Sequence, residues 1–217
     1  MDYPRESVGV KKNGEITMKL KSLLALSAVA LLSAYGSTAQ GTKGAETAEK
    51  TLIVYYSWSE NTKTIATHLA ARLGADIYEI KTEKAYPKDG WETSEISQKE
   101  RRENRLPALK GTLPDLSRYG TVFIGAPVWN AYVPTPVEKF LALADLSGKT
   151  VVPFSTSQGS GQSGYLSDFK SRAKNPARLG EYKDFRFPNN YSPDAYTAAQ
   201  IDKMLDEWSE VKAKIRK

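Results

Sequence analysis

The stretch Thr51-Leu52-Ile53-Val54-Tyr55-Tyr56-Ser57-Trp58-Ser59-Glu60-Asn61-Thr62 decides how the rest of the chain is read. Its first half is a continuous apolar run, the pattern of a strand covered on both faces, as in a parallel sheet. Its second half is polar and turn-like. Beyond it Ile65, Ala66, Leu69, Ala70 and Leu73 recur at helical spacing until Gly74 ends the pattern. A strand that passes through a short turn into a helix is the opening of a β-α-β unit.

The same alternation continues outward. Asp76 to Ile80 reads as a second strand, Thr121 to Gly125 as a third, Thr150 to Phe154 as a fourth, and residues 178–187 as a weak fifth. Helices are expected from Thr135 to Leu146, from Tyr165 to Ala173, and from about Ala195. The last of these presents Ile201, Leu205, Trp208, Val211 and Ile215 on one stripe. Residues 82–118 are long and polar, with a short helix expected across Glu92–Arg105. The reading is α/β: one domain, residues 51–217, with a parallel sheet and helices on both faces. Right-handed crossovers then collect the strand-to-helix loops at the carboxyl edge of the sheet.

Composition narrows the chemistry. The 217 residues carry 31 Lys+Arg against 25 Asp+Glu, a net charge of +6. Five of those bases and three of those acids precede residue 40, which leaves +4 spread without a long like-charge block. No nucleic-acid partner is expected from such a distribution. Cysteine is absent, which excludes disulfides, thiolate catalysis, cysteine-ligated zinc and iron–sulfur clusters. His68 is the sole histidine, so a histidine-rich metal site is excluded as well; it is expected to be a structural, partly exposed residue. No G-x-S-x-G elbow occurs.

The N-terminal segment reads as an address. Lys19 and Lys21 precede an apolar run from Leu23 to Ala34 that is shorter than the roughly 20 residues of a membrane span. Small residues follow, so residues 1–39 are expected to be a leader with a signal peptide at about 18–39, cut after Ala39. Leu32-Ser33-Ala34-Tyr35-Gly36 resembles a bacterial lipoprotein cleavage box with tyrosine in place of the lipid-bearing cysteine. Residues 40–50 read as a small, polar linker. The expectation is an exported protein, periplasmic or secreted, with no membrane association once the leader is removed, or tethered if it is kept.

Three loops carry the candidate site. Ser57, Ser59, Asn61 and Thr62 cluster where helix N–H groups lack partners, which suits either an anion or a simple helix cap. After the third strand, Gly125 to Pro134 places Trp129 and Tyr132 at the ligand edge, as a stacking face or as a lid on the core. After the fourth, Ser155 to Gln162 combines hydroxyls with glycines that permit close backbone approach.

Together these loops resemble the flavodoxin family, in the subgroup with a Y-S-x-S-G-N-T loop, a G-x-P-x-W loop before P-x-P-V, and a T-S-x-G-S-G loop. They stand here as Tyr56 to Thr62, Gly125 to Trp129 with Pro134 to Val137, and Thr156 to Gly161. The resemblance implies a flavodoxin-like doubly wound five-stranded sheet in the order 2-1-3-4-5, and FMN as cofactor. Ser57, Trp58, Ser59, Asn61 and Thr62 would then hold the phosphate. Pro127, Val128, Trp129, Asn130, Ala131 and Tyr132 would line the ribityl chain and the ring, and Ser157, Gln158, Gly159, Ser160 and Gly161 its pyrimidine edge. A flavin held in this way moves electrons through its exposed edge, to a redox partner protein or a small acceptor or donor.

Two positions depart from the family pattern. Glu60 replaces a glycine, and its carboxylate would repel a phosphate unless it faces solvent. Asn130-Ala131 replaces a pair that often contains glycine; asparagine tolerates positive φ and alanine resists it, so weaker one-electron stabilisation is expected. Two functions therefore stand at this stage: an FMN-binding electron-transfer protein or small FMN-dependent reductase, and a non-catalytic binding module on the same fold that has lost flavin.

Overall fold

The computed structural model describes residues 50–215. The expected leader, its expected cleavage point and all of the expected linker but Lys50 lie outside the described residues. Lys50–Tyr55 (β1), Tyr119–Pro127 (β3) and Thr150–Ser157 (β4) form the sheet centre. Asp76–Glu79 (β2) flanks β1, while Arg178–Leu179 (β5) and Lys183–Arg186 (β6) both pair with β4. Every pairing is parallel, in the order β2-β1-β3-β4-β5, as expected. Asn61–Leu73 (α1), Gly90–Arg102 (α2), Thr135–Leu143 (α3), Gln162–Arg172 (α4), Ala198–Asp206 (α5) and Ser209–Ile215 (α6) complete the fold.

The apolar runs divide between two cores because successive strand side chains point to opposite faces. Leu52, Val54, Val122, Ile124 and Val151 face Val137, Phe140 and Leu141 of α3 and Tyr165 and Phe169 of α4. Ile53, Phe123, Val152 and Phe154 face Ile65 and Leu69 of α1, Ile201 and Leu205 of α5, and Trp208. On β3, Gly125 is required by a close approach: a Cβ there would lie 2.0 Å from the ring of Phe154, its partner on β4.

Three expectations are corrected. The strands β3 and β4 run on to Pro127 and Ser157, so the first residues of two candidate loops are strand residues. The expected last helix is two helices: a capping box at Thr197 and Gln200 starts α5, and α6 restarts after Trp208. Ile215 leaves the apolar stripe and is exposed. The weak fifth strand is also two pieces, for a reason found in β4. The Val151 and Ser157 carbonyls each accept an N–H from this edge at 2.7 Å, from Gly180 and Phe187. Pro153 belongs to the same odd-numbered set and has no N–H to give, so the ladder lapses opposite it.

The lapse is repaired from the last helix. The Glu181 N–H, freed by the break, donates to Glu210 Oε1 at 2.8 Å, and Arg178 donates to the same oxygen at 2.8 Å. The Arg178 guanidinium and then the Glu181 amide hold the Glu210 carboxyl below the usual carboxylate range, against the opposing effect of burial. A lowered native pKa means that this stabilisation is complete above the unfolded value of about 4.3 and is lost as pH falls through the native value. Glu210→Gln should therefore cost about 1–2 kcal/mol at pH 7. The gap between variant and parent in urea midpoint should narrow as pH falls below about 4.3.

Candidate functional site

The loops after β1, β3 and β4 emerge at one rim and are stitched together there by side chains. The buried hydroxyls of Thr62 and Thr156 share a hydrogen bond of 2.7 Å, joining the first loop to the third. Asn61, also buried, donates to the Asn189 carbonyl at 2.9 Å and accepts from the Ser192 amide at 3.2 Å. Gln158 donates to Asn190 at 2.8 Å. Between these loops lies a cleft of about 250 Å3. Its walls are Trp58, Ser59 and Asn61, then Pro127 to Asn130, then Thr156, Ser157, Gln158 and Ser160. Two further walls were not anticipated residue by residue: Gly90, Thr93 and Ser94 of α2, and Asn189 and Asn190 beyond β6. The second could have been found, since a loop following a parallel strand must reach this same rim. No lining side chain is charged.

The first loop is built to leave amides free. The hydroxyl of Ser57 accepts the Lys63 N–H at 3.2 Å, so of the four polar side chains in this loop it is Ser57 that caps the helix. Glu60, Asn61 and Thr62 are the remaining donors at the start of α1, and a helix supplies them no partner. Glu60 sits in the left-handed region at φ 68°. Its carboxylate turns out to Lys63 Nζ at 2.6 Å, more than half exposed, and is not part of the cleft wall.

The second loop is a tight hairpin. Trp129 and Tyr132 exchange both backbone hydrogen bonds, at 3.1 and 2.8 Å, around Asn130 (φ 51°) and Ala131 (φ 64°). Two positive φ values in a two-residue hairpin define a type I′ turn. Alanine was expected to resist this conformation; closure of the hairpin enforces it. The turn is packed in place by Gly161 and Gly164 of the third loop and α4: a Cβ on either would come within 3.1 Å of Ala131. Asn130 Nδ2 donates to Ser94 Oγ of α2 at 2.8 Å.

Trp129 lines the cleft, edge-on to Tyr56 (5.6 Å), Trp58 (6.2 Å) and Tyr86 (5.2 Å). Trp58 donates to the Pro87 carbonyl at 2.8 Å and leans on Tyr191. Burial, reinforced by the Glu100 carboxylate, pushes the phenols of Tyr56 and Tyr86 up, so both stay protonated at neutral pH. Tyr132, the other candidate stacking residue, is absent from the cleft wall and lies beneath the Arg101 guanidinium at 4.6 Å.

The segment Glu100-Arg101-Arg102-Glu103 is in part structural. Tyr86 and Thr135 both donate to Glu100 at 2.6 Å. Arg101 donates to both Asp168 oxygens at 3.2 Å and to the Val133 carbonyl at 2.6 Å, and Asp168 accepts the Val133 N–H at 3.1 Å. Arg172 bridges Asp168 and Glu138. Burial pushes the Glu138 carboxyl up, against the pull of the two guanidiniums. This network pins the residue immediately after the hairpin.

In the third loop, the Ser157 hydroxyl donates to Asp184 at 2.8 Å and accepts from Gly159 and Gln162, so it is committed within the loop. Gly159 and Gly161 pack against Arg186 and against Ala131, respectively, rather than forming cleft wall. His68 is part-buried and lies 3.3 Å from Asp202, joining α1 to α5. Among the described residues, the cleft wall thus offers neutral donors and aromatic faces and no acid or base.

A doubly wound parallel sheet with a neutral, amide-rich cleft at its carboxyl edge defines a mononucleotide-type binding protein. The chain belongs to the flavodoxin family: a family model described as flavodoxin matches residues 50–182. Among solved structures it is similar to a flavoprotein of Lactobacillus acidophilus NCFM in complex with FMN, at 28% identity over 75% of this chain and 99% of that one, with a TM-score of 0.61. Proteins assigned as flavoproteins from Bacteroides eggerthii and Bacteroides uniformis are 26% and 25% identical. They cover 73% and 78% of this chain and 96% and 99% of their own, with TM-scores of 0.58 and 0.59. No curated protein matches the chain.

The left-handed backbone at Glu60 makes a direct prediction. Glu60→Gly relieves a conformation that costs an L residue about 1–2 kcal/mol. It gives up an exposed ion pair worth little and part of the gain to a freer unfolded chain. The thermal midpoint should rise, by about 0.5–1 kcal/mol of stability in a denaturant titration.

Proposed function

We propose that this protein binds FMN in the rim cleft and works as an electron carrier or a small FMN-dependent reductase. The observation that carries the reading is the donor set. The free amides of Glu60, Asn61 and Thr62 and the hydroxyl of Ser59 converge at a helix N-terminus, which favours a phosphate without any cationic side chain. The side chains of Asn61 and Thr62 are engaged elsewhere, so their contribution is through the backbone. Trp58 and Trp129 offer apolar faces for the ring, and Gln158 and Ser160 offer polar groups opposite.

FMN supplies the redox chemistry when bound; the chain's own residues hold and orient it. The wall of α2 keeps solvent from one side of the cleft, latched by Ser94 to Asn130 and by Trp58 to Pro87. The cleft wall has no side chain that titrates near neutrality, so it offers no proton donor or acceptor of its own. Partners on this reading are a redox protein or a small acceptor or donor. Export belongs to the same proposal, on the strength of the leader.

The competing reading, a binding module without flavin, was motivated by Glu60 and Ala131. Neither side chain lines the cleft, and the backbone at both positions already has the left-handed conformation that glycine would supply. The test is direct. The full-length chain is mixed with FMN and passed through gel filtration, and its visible spectrum is recorded. Retained yellow absorbance with quenched flavin fluorescence is expected, and a colourless protein would favour the binding module. Trp129→Ala should weaken FMN binding by about 0.5–1.5 kcal/mol, read as a rise in the dissociation constant.

A further inference from the structure

A second hollow, of about 230 Å3, shares Trp129 and Asn130 with the cleft and is otherwise walled by Ser97, Gln98, Arg101, Arg102 and Tyr132. Its electrostatics are the opposite of the cleft's. Two guanidiniums face it and no carboxylate lines it. Those guanidiniums are not equivalent. Arg101 is compensated by Asp168 and Glu138, and its stacking at 4.6 Å holds the Tyr132 ring as a flat wall. Arg102 is exposed and forms no ion pair among the described residues; it feels the neighbouring Glu103 carboxylate, which is itself bonded to Arg105. Ser94, Gln98 and Arg102 succeed one another at i, i+4 spacing, and Ser94 is bonded to Asn130, so this stripe of α2 faces the turn that separates the two hollows.

We propose that this hollow binds a small planar anion, a ring compound bearing one carboxylate or sulfonate. Its charge would rest on Arg102 and its ring on Tyr132. The guanidinium outside any ion pair selects the anion, and the half-exposed tyrosine selects the plane. As a substrate of a bound flavin the ligand rests on the reading above; as a ligand of the hollow it does not.

The experiment uses a matched pair of probes, 2-naphthoate and its neutral isostere 2-naphthamide, titrated calorimetrically into the full-length chain with and without FMN. The parent should prefer the carboxylate by about tenfold. Arg102→Gln should abolish that preference while leaving FMN uptake unchanged, and Tyr132→Leu should weaken both probes by about threefold. Equal affinity for the two probes, a preference that survives Arg102→Gln, or loss of naphthoate binding once FMN is added would each overturn the proposal. Naphthoate binding without FMN uptake would remove the flavin reading and leave the hollow standing. FMN uptake without naphthoate binding would do the reverse.

Discussion

Parallel strands satisfy their backbone groups only by pairing with neighbours that run the same way, so the chain must return behind the sheet between them. The turn that follows each strand is consequently delivered to one edge. In this protein β1, β3 and β4 are the three central strands, covered on both faces, and their loops have no freedom to diverge. The approach of Phe154 to Gly125 shows how closely the two strands bearing the second and third loops are packed near that edge. Everything proposed for the rim depends on this shared polarity.

At the rim, side chains that look like ligand groups are largely consumed in holding the loops to one another. Thr62 bonds Thr156, Asn61 bonds the 189–192 turn, and Ser157 bonds Asp184. What remains for a ligand is backbone amide, a few hydroxyls and amides, and indole. Such a site is rigid and neutral, and it recognises an anion by oriented dipoles rather than by charge. The strain that accompanies it is local: Glu60, Asn130 and Ala131 hold left-handed backbone at two of the three loops.

The polar excursion between β2 and β3 has two roles. Its helix α2 forms one wall of the cleft through Gly90, Thr93 and Ser94, and its last turn sends Arg101 into a network with Asp168, Glu138 and Arg172. The network anchors Val133, the residue that follows the hairpin. Charge is thus kept out of the cleft wall, and it fixes backbone instead.

The order of elements, the parallel sheet and the three candidate loops were legible in the amino-acid sequence, because apolar runs and helical spacing are local signals repeated along the chain. The import of position 60 was legible only against the family pattern, in which a glycine stands where this chain has Glu60. Contacts made across long separations were not legible. That Pro153 splits the last strand depends on which way its peptide faces, and that Glu210 closes the gap depends on where the final helix docks. Nor does residue type reveal whether Asn61 serves a ligand or the Asn189 carbonyl, 128 positions away. A donor reads the same in the sequence whether it is free or taken; only packing brings the acceptor near enough to decide.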